Sequence, residues 1–101
     1  MDTIVSKQLK IKACKVRMGA IEGVYNAKSG HPGGSLSIAD ILTYLYFHRL
    51  NIDPKNPQWE NRDRLILSKG HAGASVYAAL AERGFFPVEE LSTHYANGSR
   101  L

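Results

Sequence analysis

The feature that most constrains this chain is a long amino-terminal segment that is apolar on two opposite sides. Ile4, Ile11, Met18 and Tyr25 recur every seven residues, with Cys14 and Ile21 filling the same stripe, so the segment is predicted to be one long helix. Leu9, Ala13, Val16, Ala20 and Val24 form a second stripe about 180° around the helical wheel. A helix of this kind expects cover on both sides. Most of the basic side chains fall on the flanks between the stripes. They read as a solvated flank whose stems lie over apolar surface, in preference to an anion-binding strip.

This placement explains the charge. The chain has a formal net charge of +4 and a pI near 9.4. Residues 1–28 hold six basic side chains, Lys7, Lys10, Lys12, Lys15, Arg17 and Lys28, against Asp2 and Glu22, whereas residues 29–101 hold seven of each sign. The excess belongs to one helix. No nucleic-acid reader motif accompanies it and no aromatic residues interleave with it, so a nucleic-acid partner is not expected.

The helical pattern breaks at Lys28-Ser29-Gly30-His31-Pro32-Gly33-Gly34-Ser35, where three glycines and a proline predict a loop. A second helix is predicted over roughly 37–49, with Ile38, Leu42, Leu45 and Tyr46 at helical spacing and Ser37 or Ser35 as its cap. Asn51 to Asn61 holds two prolines, three asparagines and an aspartate and reads as a turn-rich connector docked onto the core by Trp59. Asp63 to Ser68 is a short apolar run between polar ends, read as one buried strand of a parallel sheet. Gly70 to Arg83 is a close-packed helix ended by Gly84. Phe85-Phe86-Pro87 is a turn, and Val88 opens a final short helix.

With 101 residues the chain makes a single domain at most, and its one cysteine, Cys14, leaves it without an internal disulfide. Its opening lacks the apolar run of a leader, and nowhere do 18 apolar residues follow one another, so a cytoplasmic location and no membrane association are expected. Stability must come from packing or from a partner.

Two histidine-centred loops could carry chemistry, Ser29-Gly30-His31-Pro32-Gly33-Gly34 and Ser68-Lys69-Gly70-His71-Ala72-Gly73. The second sits between the expected strand and a helix, where α/β folds commonly hold ligands and where a helix amino end offers unpaired N–H groups to phosphate. Gly70 lets the backbone approach closely, and Lys69 and His71 add donors. His31, held between glycine and Pro32, suits a proton carrier because its ordinary pKa lies near 6.5. For each histidine a plain reading stands beside the functional one: a turn or capping residue that bonds a nearby carbonyl. His48 and His94 show no ligand spacing and are read as structural. No carboxylate pair, Cys/His metal cluster or nucleophile elbow occurs, and Cys14 belongs to an apolar stripe.

Taken together, Ala27-Lys28-Ser29-Gly30-His31-Pro32-Gly33-Gly34-Ser35-Leu36-Ser37, Leu50-Asn51-Ile52-Asp53-Pro54-Lys55-Asn56-Pro57 and Asn61-Arg62-Asp63-Arg64-Leu65-Ile66-Leu67-Ser68-Lys69-Gly70-His71-Ala72 closely resemble the start of transketolases in order and spacing. The form Lys69-Gly70-His71-Ala72 and the Asn-Ile-Asp-Pro connector look most like the amino-terminal subunit of split transketolases, rather than a deoxyxylulose phosphate synthase or a phosphoketolase. The resemblance implies that residues 1–101 are the incomplete front portion of a thiamine-diphosphate-binding, three-layer α/β/α domain, mostly helical here with one clear strand at about 63–68. It implies an enzyme that transfers two-carbon ketol units between sugar phosphates with thiamine diphosphate and Mg²⁺, the chemistry of the pentose phosphate pathway. By the same likeness His71, with Gly70 and Lys69, would contact the cofactor phosphates. His31 would face the substrate near the thiazolium, and Ser29 would help to bind that substrate.

The departures from the family pattern matter as much. The family's Gly-Asp-Gly with a later Asn, which supplies the metal ligands, is absent from this sequence, so no metal ligand is assigned. The resemblance further implies a C-terminal transketolase subunit or remaining chain as partner, a homo- or hetero-oligomer, and no activity for the isolated 101 residues. The competing expectation is a small stand-alone anion-binding or interaction domain derived from the same fold, without catalysis.

Overall fold

In the computed structural model, residues 2–27, 32–68 and 72–93 are described. Helix α1 (Thr3–Ala27) is followed by α2 (Pro32–Tyr44), a π-helical turn (Leu45–Arg49), α3 (Gly73–Arg83) and a 3₁₀ helix (Val88–Thr93). The first helix starts at a cap that its periodicity did not disclose. The Ile4 amide donates to Asp2 Oδ1 at 2.7 Å, and the Ser6 amide to the Asp2 carbonyl at 2.9 Å. One orphan donor is thereby satisfied by a carboxylate at the positive end of the helix.

Each of the three helices packs on the other two, and the 3₁₀ helix closes against α1 and α3. The core is built from Val16, Ala39, Leu42, Tyr46, Ala78, Ala79, Ala81 and Leu91. Four of these are alanines, which lets helix axes come close. Gly19 carries the same logic further. A Cβ at that position would lie 3.0 Å from Ala78 Cβ and 3.1 Å from Leu91 Cδ1, so α1 meets α3 and the 3₁₀ helix so closely that even a methyl group would require its neighbours to shift.

Only one stripe of α1 is covered. Ala13, Val16 and Ala20 of the second stripe are buried, whereas Ile4, Ile11, Met18, Ile21 and Tyr25 of the first are exposed. Cys14, on the same stripe, is exposed as well. The expectation of cover on both sides is therefore corrected for the described residues.

The second helix begins earlier than expected. Pro32 opens α2, a position where its missing N–H costs nothing and its fixed φ favours the first turn. Gly33, Gly34, Ser35 and Ser37 thus lie within the helix. Neither expected cap acts as one: Ser37 Oγ donates to the Gly34 carbonyl at 2.9 Å, and Ser35 Oγ has no hydrogen-bond partner among the described residues. The helix loosens at its far end, where the Leu50 amide donates to Leu45 O at 2.7 Å, five residues back.

The connector is clamped at its two ends. The Asn51 amide donates to Asp63 Oδ2 at 2.6 Å while the Asp63 amide donates to the Asn51 carbonyl at 2.8 Å. Ile52, rather than the half-buried Trp59, packs against the core cluster, which corrects the anchor expected from the sequence.

The strand expected at about 63–68 is a second correction: no strand occurs among the described residues. Leu65 packs on the core, whereas Ile66 is 89% exposed. A strand requires a ladder partner, and none of the described residues pairs with Leu65, Ile66 or Leu67 through its backbone. What this segment keeps is alternating exposure along the chain.

Candidate functional site

The residues singled out in the sequence, Ser29, His31, Lys69, Gly70 and His71, lie outside the described residues, as does His94. The elements on which the two loops abut are described. Pro32, the residue after His31, opens α2, and Ala72, the residue after His71, stands at the amino end of α3.

Neither of these two helix starts has an acidic side chain in its first turn, so nothing negative there competes with an incoming anion for the positive end of the helix. The amino end of α3 has Ala72 at its cap position with no side-chain hydrogen bond, which leaves its first amides unserved by a capping side chain. Each first turn also holds a fully buried serine, Ser35 in α2 and Ser75 in α3, whose hydroxyl has no hydrogen-bond partner among the described residues. A buried hydroxyl left unpaired costs about 1–3 kcal/mol, so such atoms are uncommon outside sites that take a ligand or an ordered water.

Neither serine is assigned to the site from the sequence, where Ser35 is read only as a candidate helix cap. The signal was a Ser in the first turn of a helix that follows a Gly-His loop.

The opposite end of α3 is closed. Gly84 takes φ +109°, its amide reaches Ala81 O and Leu80 O at 3.1 Å, and the Phe85 amide reaches Leu80 O at 3.0 Å. This is the terminating arrangement expected of a glycine past the last turn. Arg83 Nε donates to the Tyr46 carbonyl at 2.9 Å, tying that end to the π-helical turn. The closed end and the uncapped end belong to the same helix.

Other groups carry less. His48 is exposed with its ring 5.2 Å from that of Tyr44. Among the described residues no group of three or more His, Cys, Asp or Glu is arranged to hold a metal ion. Nor is any helix among them long and apolar enough to cross a membrane. Burial raises the pKa of Tyr46 above its ordinary value of 10.0.

Comparison with known proteins agrees with the motifs. Residues 7–101 match the family described as transketolase, thiamine diphosphate binding domain. The chain is 48% identical over 93 residues to the 6-deoxy-6-sulfo-D-fructose transketolase subunit SqwG of Clostridium sp. (strain MSTE9), covering 92% of this chain and 34% of that protein. It is 40% identical over 93 residues to an apulose-4-phosphate transketolase subunit of Phocaeicola vulgatus, covering 92% of this chain and 33% of the relative. To the transketolase of Mus musculus it is 43% identical over 86 residues, 82% of this chain and 13% of the longer protein. The chain spans about a third of the length of the subunit-type relatives it matches. On its motifs, their order and the extent of these matches, the chain belongs to the transketolase family, in the part that forms its thiamine diphosphate binding domain.

Proposed function

We propose that these residues form the front piece of an enzyme that transfers two-carbon ketol units between sugar phosphates, with the chain inactive on its own. The observation that carries this reading is the open amino end of α3. It is uncapped, free of acidic residues in its first turn, and holds the buried Ser75 hydroxyl, unpartnered among the described residues, shortly after Lys69-Gly70-His71. A helix start of this kind suits a diphosphate. The donor set therefore fits the phosphate end of thiamine diphosphate.

Thiamine diphosphate, when bound, supplies the carbanion that a ketose carbonyl needs for cleavage of its neighbouring carbon–carbon bond. His71 and Lys69 would hold the diphosphate by charge-assisted hydrogen bonds, and Gly70 would leave room for it beside the backbone. A histidine against phosphate is favoured as the cation, and each unit of upward pKa shift corresponds to about 1.4 kcal/mol of preference for the charged form. His31 would take the proton from the substrate hydroxyl next to the bond that breaks, while Ser29 would help to orient that substrate. Mg²⁺ needs a fixed array of oxygen ligands that neither histidine loop supplies, so its ligands would come from outside these two loops. A C-terminal subunit or further chain would provide the groups that hold the sugar phosphate. The compartment is the cytoplasm, and the assembly a homo- or hetero-oligomer.

The test is a chimera in which this chain replaces the matching third of the SqwG relative, assayed with that protein's partner subunit. The chimera is expected to keep ketol transfer. In it, His31→Ala should lower turnover more than cofactor affinity, and His71→Ala should do the reverse. Equal effects of both changes on cofactor binding would refute this division of roles.

A further inference from the structure

The carboxyl end of α2 is wound one residue wider than an α-helix. The Leu50 amide donates to Leu45 O at 2.7 Å, five residues back, where the α register would send it to Tyr46 O, four residues back. The Tyr46 carbonyl is not left empty. It accepts from Arg83 Nε at 2.9 Å, a part-buried contact that spans 37 residues of chain. The acceptor that the backbone gives up is the one that α3 takes.

Packing and charge both favour this exchange. Leu42, Tyr46 and Leu50 recur every four residues, a spacing that drifts about 40° per step around an α-helix, so an unbroken α2 would carry Leu50 about 80° away from Leu42. A turn closed five residues back winds less per residue and returns Leu50 toward that face, where it packs on the core with Phe47 and Ile52. A guanidinium makes a stronger hydrogen bond to a carbonyl than a backbone amide does, and a side chain that enters the ladder of a helix opens it. Arg83 is itself well anchored. It stands one residue before Gly84, whose φ of +109° ends α3 and where a Cβ would lie 3.7 Å from Pro54 Cβ in the connector.

We infer that the end of α2 is a two-register joint held in its wide form by Arg83, which couples the position of α3 to the path of the connector. Without the guanidinium the Leu50 amide returns to Tyr46 O. The chain from Leu50 to the clamp between Asn51 and Asp63 then turns by about 100° and advances about 1.5 Å, the rotation and rise of one helical residue. The joint is built from α2, α3 and the connector and does not rest on the two histidine loops.

The test is a long-range HNCO spectrum of the isotope-labelled chain, in which a coupling across each hydrogen bond links the donor nitrogen to the carbonyl carbon of its acceptor. In the parent chain the Leu50 nitrogen is expected to correlate with the Leu45 carbonyl, and Arg83 Nε with the Tyr46 carbonyl. Arg83→Met keeps an apolar stem and removes the cation, and in it the Leu50 correlation should move to the Tyr46 carbonyl. Deletion of His48, an exposed residue within the wide turn, gives an independent reading should that variant not fold. With one residue fewer, Leu50 meets Leu45 O as an ordinary four-residue bond, so the shortened chain is expected to fold and to keep both parent correlations. Any result for a folded Arg83→Met other than the move to Tyr46 overturns the inference, because packing alone would then hold the wide turn. Loss of the fold or of the Arg83 correlation on deletion of His48 overturns it too, as does a parent chain whose Leu50 nitrogen already correlates with Tyr46.

Discussion

The two faces of α1 are both apolar and have opposite fates. The buried face is made of small residues, Ala13, Gly19, Ala20 and Gly23 around Val16, and it lies against α3 and the 3₁₀ helix. The outward face holds the larger Ile4, Ile11, Met18, Ile21 and Tyr25. Hydrophobicity alone would bury the larger set. Close approach selects the smaller one, because α1 meets Ala78 and Leu91 at a distance that a single added methyl group would disturb. Packing shape, rather than apolar area, thus sets the orientation of this helix.

The sharpest way to break this contrast is to enlarge the buried face. Gly19→Leu would force its side chain into Ala78 and Leu91 and is expected to cost at least about 3 kcal/mol of stability by urea denaturation. An equal loss for Met18→Leu, one residue away on the exposed face, would erase the distinction. Truncation should show the same asymmetry. Leu91→Ala, at 2% exposure, is expected to lose about 3 kcal/mol, and Ile11→Ala to stay within about 0.5 kcal/mol.

A pH measurement sharpens the packed side. Burial raises the Tyr46 pKa above its ordinary value of 10.0, so the unfolded chain gives up this proton at a lower pH than the folded one. The stability linked to Tyr46 is complete below about pH 10 and is lost as pH rises through the folded-state value. Tyr46→Phe should therefore flatten the decline of melting temperature in that alkaline range. The smallest effect is expected at the boundary between the faces, where Arg17 and Asp40 are 37% and 76% exposed. Asp40→Ala should cost no more than about 1 kcal/mol, and less at high salt.

The long helix was legible because its recurrence at seven residues persists from Ile4 to Tyr25, and Gly84 was legible because a glycine after a helical run has one common use. Which stripe of α1 is buried was not, since both stripes score as apolar and only Gly19 and Gly23 beside the second one hint at close contact. The glycines around Pro32 point to a loop and a helix start near Ser37, about one turn too late, although proline opens helices well. The run from Leu65 to Leu67 has strand composition, yet a strand is a property of two segments, and the described residues hold no second one. Trp59 illustrates the limit of reading by residue type: it is half-buried while the smaller Ile52 makes the core contact. At the candidate site the Gly-His loops were legible as motifs. The buried hydroxyls of Ser35 and Ser75, unpartnered among the described residues, had only a coarse signal in the sequence, a Ser in the first turn of a helix that follows a Gly-His loop.

On the proposed function the chain carries one end of a cofactor site and depends on groups outside its 101 residues to complete it. Calorimetric titration of thiamine diphosphate with Mg²⁺ tests this directly, run on the chain alone and on the chimera with the SqwG relative. No micromolar binding to the chain and restored, Mg²⁺-dependent binding to the chimera are expected. Micromolar, Mg²⁺-dependent binding to the 101-residue chain by itself would contradict it.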